Sequence, residues 1–145
     1  MRTQDITGLA LIVFLVLASC SNSTDTGDQA QRFSGIYRTS DNGTFFGGDT
    51  TDWKLGDEGK ESFTFGPAFP NPTSGECTIR LSLAVSGSVT VLLKKQGGAT
   101  VNTVFDGVIR AGVYHLALAR PDVPGIYRVE FTSSAGSSYG DIQFD

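Results

Sequence analysis

The sequence predicts an all-β protein, an antiparallel β-sandwich of about seven strands with an irregular N-terminal extension, and three observations carry that prediction. Eighteen glycines and ten phenylalanines among 145 residues, with few charges, suit a turn-rich sheet better than a bundle of helices. From residue 62 onward apolar and polar residues alternate, which is the period of a strand with one face in a core and one in water. The turn clusters between these runs follow so closely that no crossover helix fits between them, which excludes a parallel sheet.

The strands follow in order. Phe63-Thr64-Phe65 is the first. Cys77, Ile79, Leu81, Leu83 and Val85 alternate with Thr78, Arg80, Ser82 and Ala84 in the second. Val89, Val91 and Leu93 mark the third, and residues 101–105 the fourth. Tyr114, Leu116 and Leu118 form the fifth, Tyr127, Val129 and Phe131 the sixth, and Ile142 and Phe144 the last. Turn residues at Ser86-Gly87-Ser88, Gln96-Gly97-Gly98, Asp106-Gly107, Ala111-Gly112, residues 121–125 and Ala135-Gly136-Ser137 separate them. The expected interior contains Ile79, Leu81, Val91, Leu116, Tyr127, Val129 and Phe131. Cys77 opens its strand on the apolar side and reads as a small buried hydrophobe.

Ahead of the sandwich, residues 33–61 predict one short hairpin, turning at Ser40-Asp41-Asn42-Gly43, and a long acidic loop. Trp53 in that loop is expected to plug the end of the sandwich. Asp49, Asp52, Asp57 and Glu58 crowd the same loop and are candidate calcium ligands, though without EF-hand spacing. Residues 20–32 are polar and read as a flexible tether, because they offer no apolar surface to offset the entropy of ordering.

Residues 1–19 contain an apolar run, LALIVFLVL, too short for a transmembrane helix of about 20 residues but suited to the core of a secretory signal peptide. It closes on Leu17-Ala18-Ser19-Cys20, which resembles the bacterial lipobox. That resemblance implies lipidation at Cys20, cleavage before it, and a protein held on the cell envelope, expected at the outer membrane on its periplasmic or surface face. Several acyl chains hold a protein where one cannot. The expected partners are therefore the membrane, through the anchor, and an envelope protein or polysaccharide. A net charge of −4 and a pI near 4.8, with Lys94-Lys95 the longest cationic run, argue against nucleic acid.

Residues 63–145 carry a second resemblance. Phe69-Pro70-Asn71-Pro72, the Thr78-Ile79-Arg80 strand, Ala111-Gly112 with His115 beyond it, and Pro124-Gly125-Ile126-Tyr127 resemble the immunoglobulin-like domain of FlgD-type flagellar hook-cap proteins and the related C-terminal sorting domain of type IX secretion. The resemblance implies an immunoglobulin-like sandwich. The chain departs from the pattern at Leu93 to Gly98, at Ala117-Leu118, and at its acidic end, Asp141 to Asp145, where sorting domains carry a short basic strand. A stable lipoprotein domain is the preferred reading, and a type IX sorting domain of a small secreted or surface protein is the alternative.

Catalytic patterns lack their partners. Gly136-Ser137-Ser138-Tyr139-Gly140 matches G-x-S-x-G, but that chemistry needs a strand-to-helix turn and a later histidine, and the one histidine, His115, comes earlier. No phosphate loop or paired-carboxylate spacing is present. The sequence thus reads as non-enzymatic, with no cofactor and no catalytic or firm metal residue.

Overall fold

Among the described residues nine strands form in chain order: β1 (Tyr37–Thr39), β2 (Phe45–Gly48), β3 (Phe63–Phe65), β4 (Cys77–Leu83), β5 (Gly87–Lys95), β6 (Thr100–Ile109), β7 (Gly112–Leu118), β8 (Gly125–Ser133) and β9 (Gly136–Phe144). The computed structural model describes residues 33, 35–57 and 59–145; the residues expected to form the signal segment, the lipobox with Cys20, and the tether lie outside them. Among the described residues the protein is all-β and antiparallel, with sheets ordered β3-β4-β7 and β6-β5-β8-β9 and a separate β1-β2 hairpin. The seven strands β3 to β9 are those the alternation predicts, and their two packed sheets are consistent with an immunoglobulin-like sandwich.

Period 2 decides which side chains meet. Ile79 and Leu81 on β4, Val89, Val91 and Leu93 on β5, and Val129 and Phe131 on β8 turn inward and are buried. Each such side chain contributes about 1.5 to 3 kcal/mol when removed from water. Phe63 and Phe65 lie 4.8 and 5.4 Å from the Phe131 ring, so aromatic contact joins the two sheets at their centre. Leu116 is only half-buried, because β7 is an edge strand and covers the core from one side. Cys77 is buried opposite Leu118 and its thiol is pushed up to about 12, first by burial and then by the charge of Glu76. It behaves as the hydrophobe its parity predicts.

One expected turn is absent. Asp106-Gly107 lies inside β6, pairing with Thr90 and Val89, and the chain reverses only beyond Ile109. Thr90 Oγ1 donates to Asp106 Oδ1 at 3.0 Å, so β5 holds in extended form two residues that favour a turn in isolation. The expected turn at Ser40 to Gly43 forms, with Gly43 at φ 81° and Asn42 Oδ1 accepting from Ser40 Oγ and the Thr44 amide.

Candidate interaction surfaces

A sandwich has two lateral seams where its sheets come closest to open solvent, and each is bounded by unpaired strand edges. One seam, between β3 and β9, is closed by the chain itself. Lys54 exchanges backbone hydrogen bonds with Phe65 on β3, at 2.9 and 3.0 Å, while the Trp53 amide donates to the Tyr139 carbonyl of β9 at 2.8 Å. Trp53 adopts φ 63°, the left-handed region, which costs of order 1 to 3 kcal/mol for a bulky residue and persists because both neighbours are fixed. Its indole packs 5.3 Å from Phe65 and lies over Gly140, where an added β-carbon would overlap the ring. Trp53 therefore closes the side of the sandwich, not its end, because the backbone bonds of residues 53 and 54 run to edge strands of opposite sheets.

The remaining edge of β9 is covered by the loop before β4. Asn71 is fully buried: its Nδ2 donates to the carbonyls of Tyr37 and Asp141, each at 3.0 Å, and its Oδ1 accepts from the Gln143 amide at 3.0 Å. Thr73 then bonds the Gln143 carbonyl and the Asp145 amide. The Phe69 to Pro72 segment thus ties the hairpin to β9, since Thr39 and Asn71 also exchange both backbone bonds. This satisfies polar groups that a bare edge would leave to a second chain.

Covering the outer face of β8 and β9 buries polar residues that alternation alone would leave wet. Arg128 is 2% exposed and Asp141 0%, and they pair across the strands through Nε to Oδ1 at 2.8 Å and Nη2 to Oδ2 at 2.9 Å. The Tyr139 ring lies 4.1 Å from the guanidinium and the Phe33 ring 5.5 Å. Burial pulls the guanidinium pKa down, but the hydrogen bond and charge of Asp141 and the nearby Asp52 charge outweigh it and hold Arg128 more firmly protonated. Sequence reasoning missed this pair. The one available signal was two opposite charges at like parity in the last two strands.

The candidate calcium residues are placed apart in role. Asp49 Oδ1 accepts from the Thr51 amide and hydroxyl, Asp52 is buried near Arg128, and Asp57 sits on the surface with Lys60 Nζ at 2.7 Å. Glu58 lies outside the described residues, as do Leu17, Ala18, Ser19 and Cys20. Among the described residues no group of three His, Cys, Asp or Glu side chains converges to hold a metal ion.

A cleft of about 470 Å³ runs between residues 51–54 and the outer face of β8 and β9, lined by Asp52, Lys54, Glu130, Ser138 and Tyr139 beside Trp53. Its charges are engaged with neighbours: Lys54 with Glu61 at 3.4 Å, Glu130 with Lys94, and Asp52 near Arg128. The G-x-S-x-G residues form the first half of β9, so Ser138 stands in a strand and not at a strand-to-helix turn. His115 is exposed on β7 of the other sheet, opposite Arg80. Gly140 makes room for the indole above it.

The second seam lies between β6 and β7. Among the described residues β6 and β7 each have a strand on one side only. β6 is ten residues long, contains no proline, and exposes Val101 and Val108, the latter 76% accessible; Val113 is exposed on β7. Among the described residues no helix is long and apolar enough to cross a membrane. A scan of family models and searches of curated proteins and of solved structures find no match to this chain.

Proposed function

We propose that this protein is a lipid-anchored, non-enzymatic component of the cell envelope, held through acylated Cys20 at the outer membrane, whose sandwich serves a structural or interaction role. The asymmetry of its seams carries the interaction part of the reading. One edge is closed by Trp53, Asn71 and Thr73, whereas among the described residues β6 pairs with β5 alone, which leaves its outer backbone groups for an extended segment of an envelope protein, with Val101 and Val108 beside them. The anchor rests on Leu17-Ala18-Ser19-Cys20. A type IX sorting domain is the rival reading, supported by the likeness of residues 63–145 to that family.

Intact mass of the native protein separates the two. The lipoprotein reading expects a chain that begins at Cys20, carries acyl mass there and retains the sandwich. A secreted product without acyl mass, cleaved ahead of the sandwich, supports the rival and sinks the first reading.

A further inference from the structure

We propose that the β1-β2 hairpin makes a second, non-covalent contact with the bilayer, with Phe45 and Phe46 entering the headgroup region of the membrane that holds Cys20. The inference rests on the lipid-anchored reading above. It starts from two adjacent aromatic residues left in water, Phe45 42% and Phe46 61% exposed. Phe45 is fixed against the body of the protein, and Phe46, the next residue of β2, points from the other face of the strand into solvent. The Phe45 ring packs 4.4 Å from Tyr37, Tyr37 packs on the core, and Thr39 and Asn71 pair the hairpin to the body of the protein.

Chain connectivity names the occupant. Twelve residues separate Cys20 from Phe33, so the hairpin domain stays within about 45 Å of the anchor even at full extension, and within roughly 20 Å for an ordinary coil. Phe33 lies against Arg128, whose partner Asp141 shares Asn71 with Tyr37 of β1. The anchor therefore leads into the half of the molecule that carries the aromatic pair. Phenylalanine is among the apolar side chains that interfacial segments bury at the boundary of headgroups and acyl chains, and a contact tethered to the surface is effectively intramolecular. Arg38 and Asp41, both exposed in the hairpin, carry opposite signs, so apolar burial and not surface charge drives the contact.

The test uses the full lipidated chain in vesicles of phosphatidylethanolamine and phosphatidylglycerol, with part of the lipid brominated near the headgroup to quench tryptophan. Phe46→Trp reports the hairpin. Val85→Trp is the control, because Val85 is 72% exposed beyond the far end of β4, whereas the start of β4 pairs at Thr78 with Phe69 beside the hairpin. The wild-type signal of buried Trp53 is subtracted from both. The expected result is a loss of about half the added emission in Phe46→Trp with little change in Val85→Trp, and no reversal by high salt. Equal quenching at both sites, or none at either, in protein whose acyl mass is confirmed overturns the hairpin contact and leaves the anchor standing. A preparation from cells that carries no acyl mass overturns the anchor, and the hairpin contact with it. A dimer in detergent that dissociates in Phe46→Ser assigns the patch to a second copy and overturns the lipid contact.

Discussion

The indole of Trp53 rests where a side chain on Gly140 would stand, so residue 140 is a glycine to admit the tryptophan that closes the seam between β3 and β9. Gly140→Ala should destabilise the fold by about 1 to 3 kcal/mol in urea unfolding, since an inserted methyl in a packed site forces strain. Gly75→Ala is the control, because nothing lies within 4 Å of its added β-carbon; it should change stability by less than about 0.5 kcal/mol. Equal effects would refute the close fit.

Arg128 and Asp141 should be lost together more cheaply than apart. Asp141→Ala leaves a buried guanidinium without its carboxylate and should cost about 3 to 5 kcal/mol, whereas Arg128→Met with Asp141→Leu should recover much of that. A double variant no better than Asp141→Ala in the same unfolding assay would show that the pair stabilises the fold beyond apolar packing. Arg128 is raised above its ordinary value, so its contribution is present throughout the working range and is lost only in strong alkali.

Cys77 gives stability a slope in alkali. Its thiol ionises near 9.0 when unfolded and near 12 in the folded protein, so the native state keeps a proton that the unfolded chain gives up. Its contribution is therefore complete below pH 9 and falls by about 1.4 kcal/mol per pH unit between the two values. Unfolding of Cys77→Ala across that window should lack this slope, and native Cys77 should resist alkylation at pH 8. Ready labelling without unfolding would contradict its burial.

Asn71→Ala should loosen the hairpin and the β9 edge together, because it removes three hydrogen bonds from buried or half-buried backbone groups. Orphaned groups cost about 1 to 3 kcal/mol each. Faster hydrogen exchange at Gln143 and in β1, with β5 protected as before, is the expected pattern. Unchanged exchange at Gln143 would remove Asn71 from this role.

Millimolar calcium should leave the melting temperature where chelator leaves it, since Asp49 turns back on Thr51, Asp52 is buried near Arg128, and Asp57 pairs with Lys60. A concentration-dependent rise would assign calcium to the loop of Asp49, Asp52, Asp57 and Glu58.

The seven strands of the sandwich were legible because period 2 is a local property: Ile79, Leu81, Val91, Val129 and Phe131 stand inside for the reason their spacing gives. What was not legible depends on residues far away in sequence. Arg128 and Asp141 sit at wet positions of their strands and are buried only because the extension and its loop cover that face. Asp106-Gly107 carries turn chemistry that pairing to β5 overrides. Trp53 showed itself as a plug, but whether it closed an end or a side depended on which strands lay at the edges, and local patterning does not encode sheet order.

The anchor at Cys20 is the central claim, and metabolic labelling with a fatty-acid analogue tests it most directly. Cys20→Ser should block acylation, because a serine hydroxyl is a far poorer nucleophile near neutral pH than a cysteine thiolate. The account predicts label on the wild-type protein and none on Cys20→Ser, with the sandwich of residues 62–145 folded in both. Equal label on the two proteins, or none on the wild type, would contradict it.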